Sequence, residues 1–203
     1  MIWTTKPKTL ILETTNRCNL KCRMCDIWKE KPKKDMGVDQ IAGILRDPTA
    51  AKIKCLSFTG GEPFLIPNFT EYLRQARKSN RNCHINISTN GYDTDAIISA
   101  VTRGLGNDCR ASLTLSYDGK SHDKIRGVSG ASDRLLQTAL AAKQKLPTIK
   151  LALKFTVTRW NNKEIQSATN LSEKLGIALF IRIVEYQPCY TSRLSKRKQM
   201  CHE

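Results

Sequence analysis

Short apolar runs rich in β-branched residues alternate along this chain with segments whose apolar positions recur at helical spacing. The runs predict strands at about 9–14, 53–58, 84–89, 111–117, 149–158 and 177–184. The segments between them predict helices near 39–47, 68–79, 94–103, 132–145 and 162–175. The clearest is 132–145, where Leu135, Leu136, Ala139, Leu140 and Ala142 form an apolar stripe and Ser132 stands where an N-cap belongs. Asn68 is the corresponding cap before Phe69, Tyr72, Leu73 and Ala76. Pro48, Pro67, Pro147 and Gly176 mark boundaries. A strand–helix unit repeated in this way argues for an α/β fold, a parallel sheet with right-handed crossovers. Six strands are fewer than the eight of a closed (β/α) barrel, and in such architectures function gathers at the carboxyl ends of the strands.

Composition narrows the class. With 203 residues, 40% of them hydrophobic and 26% charged, the chain has the makeup of a globular domain with a well-buried core. It has no apolar run of bilayer-crossing length and no secretory signal at its start, so the cytoplasm is the expected location and no membrane association is implied. The formal charge of +16 is concentrated at Lys29, Lys31, Lys33 and Lys34 and again at Arg193, Lys196, Arg197 and Lys198. Such a field attracts anionic partners, although a solvated surface explains it equally simply. No aromatic residues are interleaved with these clusters as a single-strand platform requires, which leaves nucleic acid a minor option.

The chemistry lies in the first thirty residues. Cys18, Cys22 and Cys25 form CxxxCxxC directly after the first predicted strand. Soft thiolates select an iron–sulfur cluster or zinc, and a tight cysteine group in a chain of this kind reads as a metal site rather than a disulfide framework. A cubane cluster has one ligand position per iron, so three cysteines leave one position open to another molecule. The alternative is a structural zinc site closed by Cys55, Cys83 or His84, against which stands the lack of a second paired ligand spacing. Basic neighbours Arg17, Lys21 and Arg23 are expected to favour thiolates.

Three further motifs follow predicted strands two, three and four: Gly60-Gly61-Glu62-Pro63, Ser88-Thr89-Asn90-Gly91, and Leu115-Ser116-Tyr117-Asp118-Gly119 with His122-Asp123 and Arg126-Gly127 behind it. In order and spacing, over about residues 8 to 187, these resemble the radical S-adenosylmethionine (radical SAM) enzymes. The loop sequences look nearest to the branch of peptide maturases and the molybdenum-cofactor cyclase. The resemblance implies a partial (β/α)6 TIM-like barrel over 1–187, with 188–203 a basic tail or truncated extension. It implies a [4Fe-4S] cluster on the three cysteines, with S-adenosyl-L-methionine on the open iron. Gly60, Gly61, Glu62 and Pro63 would receive the methionine ammonium, Thr89 and Asn90 would face the cofactor mouth, and Ser116 would meet the ribose hydroxyls. Arg126 would hold the methionine carboxylate, unless it pairs with Asp118 or Asp123. Met24 stands where the family often has an aromatic residue near the adenine, and the backbone near Val184 would lie beside that ring. His122 reads as an orienting residue, and Cys55, Cys83 and Cys109 as small core residues. Cys189 and Cys201 give no usable pattern. A low-potential donor, ferredoxin or flavodoxin, and a peptide or small-molecule substrate complete the expectation. A degenerate cluster-binding core and an RNA-modifying enzyme are the alternatives.

Overall fold

A computed structural model describes residues 7–184. Its six strands are β1 (Thr9–Glu13), β2 (Cys55–Thr59), β3 (His84–Thr89), β4 (Ala111–Ser116), β5 (Lys150–Val157) and β6 (Ala178–Ile183). They pair in chain order and all in parallel. Among the described residues β1 and β6 do not pair with each other, so the barrel is open. The helices are α1 (Val38–Arg46), α2 (Phe69–Ser79), α3 (Thr94–Leu105), α4 (His122–Arg126), α5 (Ala131–Lys145) and α6 (Ile165–Leu175). No described helix is long and apolar enough to cross a membrane.

Alternation along each strand divides the molecule into two chemistries, because successive side chains leave opposite faces. The outer face carries Leu56, Phe58, Ile85, Ile87, Leu113, Leu115, Leu153 and Phe155, all buried beneath the helices. Phe69 of α2 meets Phe58 edge-on at 5.5 Å between ring centroids and Phe64 at 5.1 Å. The inner face is polar instead. Asn86 donates to Ser57 Oγ (3.0 Å) and accepts from Ser112 and Thr114 hydroxyls (both 2.9 Å), while His84 Nε2 lies 2.8 Å from Ser112 Oγ.

Local signals fare unevenly. The long helix starts one residue before Ser132, at Ala131, with Gly130 in the cap position. The Asp123 carboxylate takes the cap's role, accepting from Gly130 N at 2.6 Å and Ser132 N at 2.7 Å. A carboxylate delivered from the preceding loop satisfies the orphan donors that a serine cap would otherwise meet. Asn68 holds the N-cap position of α2, in left-handed backbone, but its side chain makes no capping bond. Leu140, placed in the apolar stripe by periodicity, is 57% exposed. The five-residue α4 has no periodic signal in the sequence.

Candidate functional site

The four loops beyond the carboxyl ends of β1 to β4 are bonded to one another, and the cysteine loop is their hub. On one side the strap after β2 holds it: Gly61 N donates to Thr15 O and Glu62 N to Arg17 O, each at 2.8 Å. The approach is so close that a Cβ on Gly60 would sit 2.4 Å from Thr15 O, and one on Gly61 2.0 Å from Arg17 O. Gly60 also has φ of +135°, a conformation that favours glycine. The need for glycine here thus comes from the backbone just ahead of Cys18. On the other side Lys21 N donates to Arg126 O (2.9 Å) and Arg23 N to Ile125 O (2.8 Å). Asn90 Nδ2 supplies the third tie, to Asn19 Oδ1 at 2.7 Å.

Glu62 is the pivot of these loops. Its side chain is almost wholly buried and accepts from Thr89 Oγ1 (2.8 Å), Asn90 N (2.8 Å) and Phe64 N (3.3 Å). Burial nevertheless pushes its carboxyl up to about 7, against those donors and Arg126. Arg126 lies between the cysteine loop and the turn after β4: Nε donates to Asp118 Oδ2 at 2.5 Å and Nη1 to Cys22 Sγ at 3.6 Å. Burial alone would lower the guanidinium, but Asp118 and Cys22 outweigh it and raise it. Of the two acids considered as partners for Arg126, Asp118 pairs with it, while Asp123 caps α5. His122 holds the same turn, its Nδ1 accepting from Asp118 N at 3.1 Å, which leaves the neutral ring as the compatible form. Burial brings its pKa down to about 4.

These loops surround a cavity of about 370 Å³ whose lining includes Cys18, Cys22, Cys25, Met24, Gly60, Gly61, Thr89, Asn90, Ser116, Arg126 and Val184. Glu62 and Pro63 stand behind the lining. The same wall holds Glu13, Trp28, Thr156, Lys154 and Arg182, none of which the sequence reading selected. Lys154 had a signal: a lysine between Leu153 and Phe155 in the middle of a parallel strand covered by helices.

The donor set suits a cluster. Three soft sulfurs share one cavity wall, and Trp28 Nε1 donates to Cys22 O (3.2 Å), fixing the turn between the second and third cysteines. Burial pushes the Cys18 thiol up to about 12 and the Cys25 thiol up to about 11. The basic neighbours are turned to other tasks: Arg17 pairs with Asp35, and Arg23 stacks over Trp160 at 4.5 Å. Arg126 is the cation that acts on Cys25, and it is also the one bonded to Cys22. Among the described residues no three Cys, His, Asp or Glu side chains converge as single-ion ligands. A four-iron cluster spreads its thiolates wider than one ion does. The zinc alternative also loses its fourth ligand, since Cys55 and His84 begin β2 and β3 and Cys83 precedes His84, at the opposite end of the barrel. Cys189, Cys201 and the 188–203 tail lie outside the described residues.

The chain is 28% identical to Fe-coproporphyrin III synthase of Methanosarcina barkeri over 94% of its own length and 46% of that protein's. It is 26% identical to the sporulation killing factor maturation protein SkfB of Bacillus subtilis over 86% and 42% of the two chains. The structure of Streptococcus suis SuiB bound to S-adenosylmethionine superposes with a TM-score of 0.75 at 16% identity, covering 95% of this chain and 48% of that one. The chain thus spans about half the length of the relatives it matches. Residues 12–167 match the family model of the radical SAM superfamily, which uses a [4Fe-4S] cluster and S-adenosylmethionine, and the chain belongs to that superfamily.

Proposed function

We propose that this chain is the catalytic core, over 1–187, of a radical SAM enzyme that abstracts hydrogen from a substrate bound beside the cofactors. The observation that carries the reading is the junction of four strand-end loops around three thiols in one cavity. Cys18, Cys22 and Cys25 would hold the cluster. When bound and reduced, the cluster supplies the electron that cleaves S-adenosylmethionine into methionine and a 5′-deoxyadenosyl radical.

The protein's part is to bind and orient. The Gly60-Gly61-Glu62-Pro63 strap receives the methionine ammonium on the backbone of its two glycines, with the buried Glu62 carboxylate behind them as the nearby negative charge. Thr89 and Asn90 keep that carboxylate in place and close the mouth of the cavity. Ser116 faces the ribose. Arg126, with Nε committed to Asp118, turns its remaining donors toward the methionine carboxylate as well as Cys22. Met24 and the backbone at Val184 flank the adenine. Ferredoxin or flavodoxin is the donor in this reading. The substrate is a peptide, as supported by SuiB, whose structure was solved with its precursor peptide SuiA, and by SkfB. The test is anaerobic reconstitution with iron and sulfide, reduction with dithionite, and assay of 5′-deoxyadenosine, with Cys22→Ala as control. Product that requires Cys22 is expected. A protein that takes up zinc and forms no cluster overturns the reading, and a stable four-iron cluster without cleavage reduces it to a binding core.

A further inference from the structure

Lys154 is a desolvated cation of the cavity wall to which the cofactors give no role. It points inward from β5, opposite Ser116 on β4 and Phe180 on β6 in the strand register. Its strand neighbours Leu153 and Phe155 are fully buried on the helix side. A lysine is seldom placed in a parallel strand without a partner, because its charge must be desolvated. The backbone carbonyl of Lys154 accepts from Tyr117 N at 3.0 Å, but no side-chain hydrogen bond or ion pair engages its ammonium among the described residues. The nearby acid, Asp118, commits Oδ2 to Arg126, and its buried Oδ1 has no hydrogen-bond partner, so it does not reach the ammonium. Arg126 and Arg182 add positive charge around the ammonium, and Glu13 on β1 is the other acid of the lining. The fold therefore carries a desolvated, uncompensated cation on the inner wall, facing the space beside Ser116.

We propose that Lys154 is the docking point for an anionic oxygen group of the substrate, a carboxylate or a phosphate, which supplies the countercharge missing from the inner wall of the barrel. The inference rests on the reading of this cavity as a radical SAM active site and adds the substrate's charge class to it. Arg126 lies at the cysteine loop and serves the methionine end, whereas Lys154 lies on β5, one strand beyond Ser116. An anion at Lys154 is thereby held beside the cofactor rather than on it. The titration of the lysine agrees: burial first, then Arg126 and Arg182, bring it down to about 8, with only Asp118 opposing. An anion would restore the charge, so binding takes up protons near pH 8 and fades above it.

The experiment measures affinities by calorimetry on the full, anaerobically reconstituted chain at constant ionic strength. The probes are glutarate, inorganic phosphate and S-adenosylmethionine. Lys154→Met keeps the length and apolar stem of the side chain and removes the charge; Lys154→Arg restores it, and Lys150→Met controls for net charge on the exposed start of the same strand. The wild type is expected to bind glutarate or phosphate, the stronger of the two naming the substrate's anion. Lys154→Met should weaken that probe by about ten- to a hundredfold, the range of one charge-assisted hydrogen bond. It should leave S-adenosylmethionine within about twofold. Lys154→Arg should recover most of the loss and Lys150→Met should change nothing. Three results overturn the inference: neither probe bound by the wild type at about 10 mM, equal probe affinity in wild type and Lys154→Met, or loss of S-adenosylmethionine instead of the probe. The last would make the lysine a cofactor ligand. The 5′-deoxyadenosine assay judges the active-site reading separately: anion binding at Lys154 without cofactor cleavage would sink that reading and leave the anion site standing.

Discussion

The same one-carbon change at two glycines should have opposite signs. At Gly61 an added Cβ would lie 2.0 Å from Arg17 O and 2.6 Å from Arg17 C, both backbone atoms, so no side-chain rotation relieves the contact. The strap must move away from the cysteine loop, stretching the Gly61 N–Thr15 O and Glu62 N–Arg17 O bonds. Each is worth about 1 kcal/mol net, and a donor left buried and unpaired costs about 1–3 kcal/mol, so Gly61→Ala should destabilise by about 2–4 kcal/mol. Gly43 in α1 is exposed and has nothing within 4 Å of the same atom. There alanine restricts the unfolded chain and should stabilise by about 0.5–1 kcal/mol. Gly61 is a better probe than Gly60, whose positive φ would add a backbone penalty to the clash.

The assay is urea unfolding of both variants, compared at constant slope, followed by iron and sulfide content after reconstitution. Gly61→Ala should lose iron in proportion to its displaced loop, while Gly43→Ala should load like the wild type. A Gly61→Ala protein within about 0.5 kcal/mol of wild type, with full iron content, would refute the argument that the strap positions the thiols.

Arg126→Met should cost about 3–5 kcal/mol, because it leaves the fully buried Asp118 carboxylate without its counterion, and adding Asp118→Asn should recover most of that. Denaturant midpoints of the single and double variants check it, and a single-variant cost under about 1 kcal/mol would contradict it. Glu62 and His122 should oppose each other in pH. The raised Glu62 carboxyl binds its proton more tightly folded than unfolded, so its contribution to stability falls as pH climbs from 4.5 to about 7. The lowered His122 binds less tightly folded, so its contribution rises from about pH 4 to 6.5. Each is worth about 3 kcal/mol, and they should nearly cancel in the wild type. Melting temperature against pH should therefore climb between 4.5 and 6.5 in Glu62→Gln and fall in His122→Asn; two curves parallel to wild type would disprove the assignment.

The β–α alternation was legible because each strand's outer face is continuous with the core, so Leu56, Phe58, Ile85 and Ile87 write their burial directly into the sequence. The motifs were legible because their residue types have few other uses at those spacings. What escaped depends on partners distant in sequence. Ser132 looks like a cap only until Asp123 is brought to Gly130. Leu140 looks like part of the stripe, yet it lies one step around the helix from the buried positions Leu135, Thr138, Ala139 and Ala142 and stays outside. Gly60 and Gly61 read as receivers of the methionine ammonium, but the close approach of the Thr15–Arg17 backbone, which also requires glycine there, comes from a segment distant in sequence. The polar inner ladder around Asn86 and the charge of Lys154 could be seen as exceptions in apolar runs, but not their shared face, which requires the strand register.

That register also explains why the motifs occur in the order they do. β1 to β4 are spatial neighbours in chain order, so each successive strand delivers its loop one step farther around the cysteine loop. The loop itself contains one short 3-10 turn, Ile27–Lys29, and its stretch through the first two cysteines is tied to neighbouring loops. Thr15 and Arg17 bond to the β2 strap, Asn19 to the β3 loop, and Lys21, Cys22 and Arg23 to the end of α4. A ligand seated on Cys18, Cys22 and Cys25 therefore stabilises four loops at once. Its binding energy appears as stability of the carboxyl end of the barrel, because the ligand binds only the assembled state. The chemistry and the fold share these bonds, which is why Arg126 can serve Asp118, Cys22 and the cavity with one guanidinium, and why Lys154, outside that set, stands apart as a group whose partner must come from the substrate.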